Sequence, residues 1–532
     1  MSTDQDSDDR SILPGAHPVL SCADALAWES ALLGGDSVRE WAAMVRAGRA
    51  VADAVSMDAH EVGGLGERAR LLVLCGKGHN GGDALIALRH LLDSRPGGTA
   101  LVLVVPGFGR LRPLVRRAVE DLQRAHAGRV DWIEVDGALD SRDAARVWQA
   151  LAGREFDLCL DGLFGMQFKP PLRAPADWLI ELVNSHGRIR LRAAVDLPSG
   201  LGDAGDAQPF SADFTYATGI VKRPALQAGC AGRLRYLDLG FFEHGWPRGA
   251  DELILTGESL GALRRGREAN ADKRTFGHLF VISGSRTMPG AVMMSVESAL
   301  RSGVGLVTAF VPESLAAVGA ARLPEAMWEP MPETPAGGLA LEGRGAVVAR
   351  AARCTGVLIG PGLGRDRESL ALAAELLRAI DVPAVLDADA LQPDLVGLRA
   401  PQASAPRVVT PHAGELARIS GTDTPDPREV ARRFGCIVVA KGAPTRITGG
   451  DPVYVSPFGG PVLARGGSGD VLAGLIAGQL AQGVDALEAA ARGVVWHGMA
   501  ADRLARTTSQ HAARATDLCT HLGPVLQDLA HG

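Results

Sequence analysis

The chain has 532 residues, of which 46% are hydrophobic, 22% are charged and 5% are aromatic, and its formal net charge is −6. This length exceeds what one hydrophobic core supports, so we expect at least two domains. The negative charge argues against a general nucleic-acid or anionic-membrane surface, and no apolar run approaches the ~18 residues needed to cross a bilayer. The seven Cys residues show no CxxC or CxxH spacing, which predicts neither a zinc site nor a disulfide framework and favours a cytoplasmic location.

The predicted elements alternate in two series along the chain. Residues 1–16 open on an acidic, polar run and are predicted to form a disordered tail, and residues 23–56 are predicted to form one or two helices. Apolar strands then alternate with helical segments from LLVLCG to ADFTYATGIV. Residues 241–270 lack this alternation and are predicted to be a linker and domain start. A second alternating series runs from GHLFVISGS to GGSGDVLAGLIAG. The sequence therefore predicts two tandem three-layer α/β domains, over residues 17–240 and 271–532.

A glycine turn follows the strand LLVLCG, and its function is ambiguous from spacing alone. Gly76, Gly78 and Gly81 spell G-x-G-x-x-G, but a nicotinamide-binding Rossmann site also needs an acidic residue at the end of the next strand, which TALVLVVPGFGR lacks. One alternative is a turn that only packs a helix on a strand. The other is an anion- or cation-binding loop, because Asn80–Gly82 precede Asp83 at an expected helix start.

Two further polar residues end predicted strands of the first domain. Asp161 ends the strand in LDGLFG, and Asp196 ends the strand in AVDLPSG, where Ser199 follows. Each Asp alone could be a helix cap or a turn former. Because ligands of open α/β sheets collect outside the carboxyl ends of the strands, we expect the glycine turn, Asp161 and Asp196 to face one crevice.

The ordered motifs CGKGHNGGDAL, DGLFG, VDLPSG and TGIVKRPAL resemble the NAD(P)H-hydrate epimerase domain over roughly residues 15–240. The resemblance implies a Rossmann-like fold, a potassium ion held by Asn80, Asp161 and Ser199, and Asp196 as the acid–base residue. The implied substrate-binding residues are His79, Asn80, Gly81, Gly82, Asp83, Gly165, Met166, Gln167, Phe168, Lys169, Pro170, Pro171 and Asp196. His79, Ala84 and the GMQ run depart from the family pattern.

The motif ARGGSGDVLAGLIAGQ is typical of phosphoryl transfer. Its glycines let backbone N–H groups approach a phosphate at a helix N-terminus, and Asp470 beside them suits a general base, with a simple N-capping role as the alternative. No G-x-x-x-x-G-K-[ST] run occurs, so a Walker-type nucleotide site is excluded.

The same motif resembles the ribokinase-like superfamily, in which the glycines form an anion hole. Together with SGSRTMPGAV, LIGPGLG, LDADAL, VVTPHAGE and VVAKGAPT, in this order, it resembles the ADP/ATP-dependent NAD(P)H-hydrate dehydratase over about residues 250–525; Met288 replaces the usual tyrosine. The resemblance implies that Ala291, Gly364, His412 and Asp470 bind the hydrated substrate. It implies that Lys441, Gly442, Ala443, Pro444, Thr445 and Gly469 bind ADP or ATP, with Mg²⁺ on the phosphates.

The combined prediction is a bifunctional repair enzyme. The N-terminal domain would interconvert the R and S hydrates of NADH and NADPH (NADHX and NADPHX), and the C-terminal domain would phosphorylate and dehydrate the S form. No nucleic-acid or membrane partner is expected, and a homo-oligomer is a family expectation. Two alternatives stay open: a kinase for another small hydroxyl compound, and an N-terminal domain that binds nucleotide or serves as a scaffold without catalysis.

Overall fold

The computed structural model describes residues 12–135, 141–205, 208–247, 249–398 and 405–531. The chain divides into two compact units. We name them the N-terminal unit, residues 18–250 with 505–509, and the C-terminal unit, residues 251–504 with 1–17 and 510–532. Residues 1–11 of the predicted tail lie outside the described residues, and Ala16 begins the first strand.

The N-terminal unit alternates strands and helices as its apolar runs predict. Its elements are β1 (Ala16–Leu20), α1 (Cys22–Leu33), α2 (Ser37–Asp58), β2 (Arg70–Cys75), α3 (His79–Asp93), β3 (Thr99–Val104), α4 (Pro113–Ala125), β4 (Val130–Glu134), α5 (Ser141–Leu151), β5 (Leu158–Gly162), α6 (Ala176–Asn184), β6 (Arg192–Val195), β7 (Phe214–Thr218), β8 (Val221–Lys222), α7 (Arg223–Gln227) and β9 (Arg233–Leu237). The helical segment predicted over 23–56 is two helices, because Gly34 ends α1 in the left-handed conformation and Asp36 caps the N-terminus of α2.

A parallel sheet in the order β4-β3-β2-β5-β6-β7-β9 forms the centre of this unit. The chain runs outward from β2 in one direction and from β5 in the other, which is the doubly wound, Rossmann-like order. Helices α2, α3 and α4 cover one face, and α5 and α6 cover the other. The order reverses between β2 and β5, so a crevice is expected beyond the carboxyl ends of these strands.

The C-terminal unit repeats the alternation with a larger sheet. Its elements are β10 (Glu252–Leu255), β11 (His278–Ile282), α8 (Pro289–Arg301), β12 (Leu306–Pro312), α9 (Glu313–Arg322), β13 (Met327–Met331), α10 (Arg344–Val348), β14 (Gly356–Ile359), α11 (Arg367–Ala379), β15 (Ala384–Leu386), α12 (Pro393–Val396), β16 (Arg407–Val409), α13 (Ala413–Ser420), α14 (Pro427–Phe434), β17 (Ile437–Ala440), β18 (Thr445–Thr448), β19 (Val453–Ser456), α15 (Ser468–Ala481), α16 (Ala486–Thr507) and α17 (Asp517–His531). Strand β10 lies inside the segment 241–270 that was predicted to be a linker and domain start.

The strands of this unit follow the order β13-β12-β11-β14-β15-β16-β17-β18-β19-β10. The run from β13 to β17 is parallel, and β17, β18 and β19 form an antiparallel meander. Helices α10–α14 surround the core on one face, whereas α8 and α15 pack on the other. The predicted fold class, two tandem three-layer α/β units, is confirmed.

Candidate active sites

The N-terminal candidate site lies at the carboxyl ends of β2, β5 and β6. Asp161 is the penultimate residue of β5, and its buried carboxylate accepts hydrogen bonds from the Leu163 N–H (3.2 Å), the Ser199 N–H (2.7 Å) and the Ser199 hydroxyl (2.6 Å). These bonds tie the loop after β5 to the loop after β6. Burial raises the pKa of Asp161 to about 6, against the opposing effect of these hydrogen bonds.

Helix α3 begins earlier than the sequence predicts. It starts at His79, with Gly78 as its N-cap, so Asn80 and Asp83 both lie in its first turns and Asp83 does not mark its start. The glycines misled the prediction because they are poor helix formers. A Cβ on Gly76 would lie 1.9 Å from the Leu163 carbonyl oxygen, and one on Gly81 would lie 2.1 Å from that of Gly76. These residues are glycine because backbones approach closely here.

Asn80 contacts the loop after β5 through its side chain. Its Nδ2 donates a hydrogen bond to the Phe164 carbonyl (2.8 Å), while its Oδ1 is buried and has no hydrogen-bond partner. Gly165 lies between Asn80 and Asp196, because a Cβ at this position would be 3.6 Å from both the Asn80 Cγ and the Asp196 Oδ2. The structure thus brings the first turn of α3, which carries Asn80, together with the loops that carry Gly165 and Asp196.

Asp196 occupies a left-handed backbone conformation, with φ of 66°, which non-glycine residues seldom adopt. The Thr218 N–H (3.4 Å) and hydroxyl (3.2 Å) donate to its Oδ1, and the Lys222 ammonium forms an ion pair with the same atom. Lys222 is fully buried, with 1% of its surface exposed. This strained backbone conformation and this ion pair fix the Asp196 carboxylate at the carboxyl end of β6.

The remaining residues of the predicted epimerase site have varied surroundings. The half-exposed His79 has its Nε2 3.9 Å from Glu40, and burial lowers the pKa of His79. Gln167 accepts a hydrogen bond from Arg112 (3.4 Å), and the Phe168 ring lies 5.5 Å from that of Phe164. Met166 packs against an apolar cluster, while Lys169 and Pro171 are exposed. Within Gly165–Pro171, Gly165 is thus the residue placed between Asn80 and Asp196.

The C-terminal candidate site is built from loops that follow adjacent parallel strands. Gly364 follows β14, Asp387 follows β15, His412 follows β16 and Lys441 follows β17. Because the carboxyl ends of parallel strands share one edge of the sheet, these residues form one row. The first turn of α15, which holds Gly469 and Asp470, faces this row, since a Cβ on Gly469 would lie 3.3 Å from the Lys441 Nζ.

Asp470 lies in the first turn of α15 but does not cap the helix. The N-cap is Gly467, in the left-handed conformation with φ of 96°, so a simple capping role for Asp470 is wrong. Burial raises the pKa of Asp470 to about 7; the charges of Asp387 and Asp389 add to this effect and Lys441 opposes it. The Ser295 hydroxyl of α8 donates to the Asp470 carbonyl (3.1 Å). A carboxyl group with this pKa can exchange a proton at neutral pH.

Lys441 is held by two carboxylates. Its Nζ lies 3.0 Å from the Asp387 Oδ1 and 3.8 Å from the Glu415 Oε2. Asp387 is buried and also accepts a hydrogen bond from the Thr410 hydroxyl (2.6 Å). Residues 442–444 lie in the loop between β17 and β18, Thr445 begins β18, and this segment is exposed or partly exposed. This arrangement places one cation beside the N-terminus of α15, where anions are favoured.

The predicted substrate residues of this unit lie on the same loops. His412 caps α13, accepting from the Gly414 N–H (3.1 Å) and the Glu415 N–H (3.3 Å), and its side chain is 60% exposed. The Gly364 N–H donates to the Asp389 Oδ2 (3.0 Å). Ala291 in α8 lies against the loop after β14. A Cβ added to Gly362, which is in that loop, would be 2.8 Å from the Cβ of Ala291.

Comparisons with known proteins identify both halves of the chain. Residues 279–523 match the family model described as NAD(P)H-hydrate dehydratase, and residues 41–224 match the model described as YjeF-related protein N-terminus. The bifunctional NAD(P)H-hydrate repair enzyme Nnr of Moorella thermoacetica is 34% identical over 498 residues, covering 89% of this chain and 90% of the relative. The enzyme of the same name from Gloeobacter violaceus is 35% identical over 512 residues, covering 91% and 93%.

The chain belongs to the bifunctional NAD(P)H-hydrate repair enzymes. The predicted family and its two enzyme domains are therefore confirmed. One similar solved structure is the ADP/ATP-dependent NAD(P)H-hydrate dehydratase of Bacillus subtilis, co-crystallised with ATP and Mg²⁺. It is 29% identical, covers 49% of this chain and 93% of that chain, and has a TM-score of 0.42. Across the described residues of this repair enzyme, no helix is both long and apolar enough to span a membrane.

The structure also reveals residues of this repair enzyme that the sequence analysis did not single out. In the N-terminal unit these are Lys222, which directly follows the apolar pair Ile220 and Val221, and the partly buried Glu29 of α1. In the C-terminal unit they are Asp387 and Glu415, whose carboxylates contact Lys441. They lie in the motifs LDADAL and VVTPHAGE, which the sequence analysis quoted without giving these two residues a role. The buried His497 has an unpartnered Nε2, and burial lowers its pKa to about 4.

Proposed function

We propose that the N-terminal unit interconverts the R and S hydrates of NADH and NADPH and that the C-terminal unit converts the S hydrate to NADH or NADPH at the expense of ADP or ATP. The observation that carries the proposal is the convergence of Asp470 and Lys441 on the glycine-lined N-terminus of α15. Such a turn binds phosphate through backbone N–H groups, and a carboxylate beside it can act on an acceptor hydroxyl.

In the proposed dehydratase reaction, Asp470 takes the proton of the C6 hydroxyl while that oxygen attacks the terminal phosphoryl group. The N–H groups of residues 466–469 stabilise the charge on the transferred group, and Lys441 leaves its carboxylates to contact the phosphates. Mg²⁺ enters with the nucleotide as part of the co-substrate. The ring nitrogen then expels phosphate from C6, and loss of a C5 proton restores the dihydronicotinamide. Ala291, Gly364 and His412 contact the hydrate, and Gly442–Thr445 and Gly469 contact the nucleotide.

In the proposed epimerase reaction, Asp196 exchanges a proton with the C6 hydroxyl of the hydrate. The first turns of α3, residues 79–83, and the loop of residues 165–171 bind the nucleotide. Charge separation in the transition state is reduced when a fixed carboxylate accepts the proton. The free state of all seven cysteines is consistent with a reducing compartment, such as the cytoplasm. A homo-oligomer remains part of the proposal as a family expectation.

The test uses the full-length protein with an equimolar mixture of R and S hydrates of NADH and either ADP or ATP. Recovery of dihydronicotinamide absorbance is followed over time, with spontaneous epimerisation measured separately. Complete recovery faster than the spontaneous rate is the expected result. Recovery that stalls near half contradicts the epimerase, and no recovery with either nucleotide contradicts the dehydratase and favours a kinase for another hydroxyl compound.

The proposed potassium site rests on Asn80, Asp161 and Ser199. An amide oxygen and a hydroxyl beside one carboxylate suit a hard monovalent cation, and the buried Asn80 Oδ1 lacks a hydrogen-bond partner. Leaving such an acceptor unsatisfied costs about 1–3 kcal/mol, so the residues fit a cation that contacts this oxygen. Bound potassium would offset the negative charge of the Asp161 carboxylate.

We expect potassium to raise the thermal midpoint of the N-terminal unit, and we expect Asn80→Leu to abolish this response. At a potassium concentration a hundredfold above Kd, binding stabilises the folded state by about 2.7 kcal/mol. Scanning calorimetry in potassium chloride and in choline chloride of equal ionic strength measures the effect. Asn184→Leu is the matched control, because both polar atoms of Asn184 are already hydrogen-bonded, to Pro209 and Ser211; it should keep the response. A potassium response that survives Asn80→Leu would place the ion elsewhere.

The dehydratase rate is expected to rise with pH across neutrality. Asp470 must be ionised to accept a proton, and burial raises its pKa to about 7, so the acid limb of kcat/KM for the S hydrate should lie near this value. Lys441→Met should move the limb to higher pH, because it removes the opposing cation. Asp387→Asn should move it to lower pH, because it removes a like charge. A profile that is flat across neutral pH, or shifts of the same sign in both variants, would contradict the assignment.

A further inference from the structure

One side chain of the C-terminal unit lies between the residue predicted to bind the hydrate and a residue predicted to bind the nucleotide. It is Glu415, the third residue of α13, and its side chain is 11% exposed. Its carboxylate approaches both His412, the N-cap of the same helix, and Lys441, which directly follows β17. A carboxylate shared by two ligand-binding residues can act on the binding of both ligands.

His412 and Lys441 are neighbours because β16 and β17 are adjacent parallel strands. The pairing continues past the ends of these strands: the Lys441 N–H donates to the Pro411 carbonyl (2.8 Å), and His412 pairs with Lys441 in an isolated parallel bridge. Helix α13 begins at the residue after His412, and its first turn brings Glu415 back to this pair. The contacts of Glu415 are therefore set by the sheet edge on which both sites are built.

The contact between Glu415 and His412 is a reciprocal cap. The His412 Nδ1 accepts from the Gly414 N–H (3.1 Å) and the Glu415 N–H (3.3 Å), and the Glu415 Oε2 accepts from the His412 N–H (2.9 Å). Because Nδ1 accepts, the neutral ring carries its proton on Nε2, which lies 3.5 Å from the Glu415 Oε1. Glu415 thus restrains both the backbone and the ring of His412.

The contact between Glu415 and Lys441 is electrostatic. The Lys441 Nζ lies 3.8 Å from the Glu415 Oε2, the same oxygen that accepts from His412, and 3.0 Å from the Asp387 Oδ1. A Cβ on Gly469 would lie 3.3 Å from this Nζ, so the ammonium group is close to the N-terminus of α15. Phosphates bound at that helix end compete with the two carboxylates for the ammonium group, and the charge of Glu415 also repels them.

We propose that Glu415 is a positioning residue for both ligands of the C-terminal unit: it fixes His412 for contact with the hydrate and competes with the nucleotide phosphates for Lys441. The inference rests on the proposed dehydratase function, and it assigns to Glu415 opposite effects on the two ligands. Loss of the restraint on His412 weakens hydrate binding, because binding must then order the ring. Loss of the charge near Lys441 strengthens nucleotide binding.

The first experiment measures the Kd of ADP by calorimetric titration of the full-length protein, once in EDTA and once in Mg²⁺. Glu415→Gln keeps an oxygen that can accept from the His412 N–H and removes the charge near Lys441. We expect this variant to bind ADP about two- to fivefold more tightly than wild type in both solutions, the effect of one partly exposed ion pair. Glu429→Gln is the matched control, because Glu429 is exposed and is likewise the third residue of its helix, α14; it should keep the wild-type Kd.

The second experiment measures KM for the S hydrate at saturating ADP and Mg²⁺. Glu415→Gln should stay within about twofold of wild type, whereas Glu415→Ala, which loses the acceptor for the His412 N–H, should raise KM about two- to tenfold. Glu415→Ala should still bind ADP more tightly than wild type, and partial unfolding cannot explain opposite changes for two ligands. In a His412→Ala background, Glu415→Ala should have little further effect on KM, because Glu415 acts on the hydrate through His412.

The role of Glu415 and the proposed function fail in different ways. Unchanged or weaker ADP binding in Glu415→Gln would contradict the competition for Lys441, and weaker binding in Mg²⁺ alone would show that the carboxylate acts on the metal instead. An unchanged KM in Glu415→Ala would contradict the role at His412. A wild-type chain that binds ADP but converts no S hydrate would contradict the proposed function, while the ADP titration would still decide the role of Glu415 at Lys441.

Discussion

Asp470→Ala is expected to abolish the conversion of the S hydrate to NADH or NADPH with either ADP or ATP, lowering kcat by about 10²–10⁴-fold. The reason is positional: Asp470 is the carboxyl group in the first turn of α15, beside Lys441 and the glycines of residues 466–469. Without it the C6 hydroxyl keeps its proton and is a poor nucleophile. Recovery of dihydronicotinamide absorbance from purified S hydrate measures the loss.

Nucleotide binding separates a catalytic defect from a structural one. Lys441 and Gly469 remain in Asp470→Ala, so the Kd for ADP, measured by calorimetric titration, should change little. Asp528→Ala, at an exposed carboxylate of α17, is the control and should keep wild-type turnover. An Asp470→Ala variant that retained a tenth or more of the wild-type rate would contradict the role of Asp470 as the general base.

The second large effect is expected from Asp196→Ala, which should slow only the R fraction of a hydrate mixture. Recovery with ADP should proceed at the wild-type rate through the S fraction, stall near half, and then continue at the spontaneous rate. The loss of epimerisation should reach about 10²-fold or more, because general acid–base catalysis contributes effects of this size. Chiral separation of the remaining hydrates measures which epimer accumulates.

Stability must be controlled in this variant, because Asp196→Ala leaves the Lys222 ammonium buried without its carboxylate. Removing one partner of a buried pair costs about 3–5 kcal/mol, so Asp196→Asn is tested in parallel. Asp213→Ala is the matched control: Asp213 accepts a hydrogen bond from the Arg192 N–H (2.7 Å) at the amino end of β6, the opposite edge of the sheet. If the R fraction reacts at the wild-type rate in both Asp196 variants, Asp196 is not the acid–base residue.

Most of the strands that the sequence predicted have continuous apolar runs. Strand β2, with the residues Arg70–Cys75, is almost wholly buried in a parallel sheet, and such strands have an unbroken hydrophobic signal. Strand β9 (RLRYL) and strand β13 (MWEPM) lie at the edges of their sheets, mix polar and apolar residues and were not predicted, whereas the mixed edge strand β4 (VDWIE) was. Their membership of a sheet is decided by the neighbouring strand, which no local pattern reports.

Polar residues at strand ends were predictable as candidates, because the order of strands and helices fixes which edge of a sheet they occupy. Asp161 and Asp196 were predicted in this way, whereas His412 and Lys441 were predicted from the family resemblance. Their partners were not found. Lys222 has a sequence signal only as a charge directly after two apolar residues, and its ion pair with Asp196 depends on how the fold places β8 and the turn after β6.

The sequence by itself determined the two α/β units and the family, and it predicted residues for both candidate sites, because hydrophobic period and ordered motifs are local properties of the chain. Only the tertiary structure decided the surroundings that shift the pKa values of buried carboxyl groups. The pKa of Asp470 is raised by burial and by Asp387, and that of Asp83 by burial and by Asp196, all from distant positions in the chain. Electrostatic energies depend on distance and burial in the folded molecule, and the order of residues gives neither quantity directly.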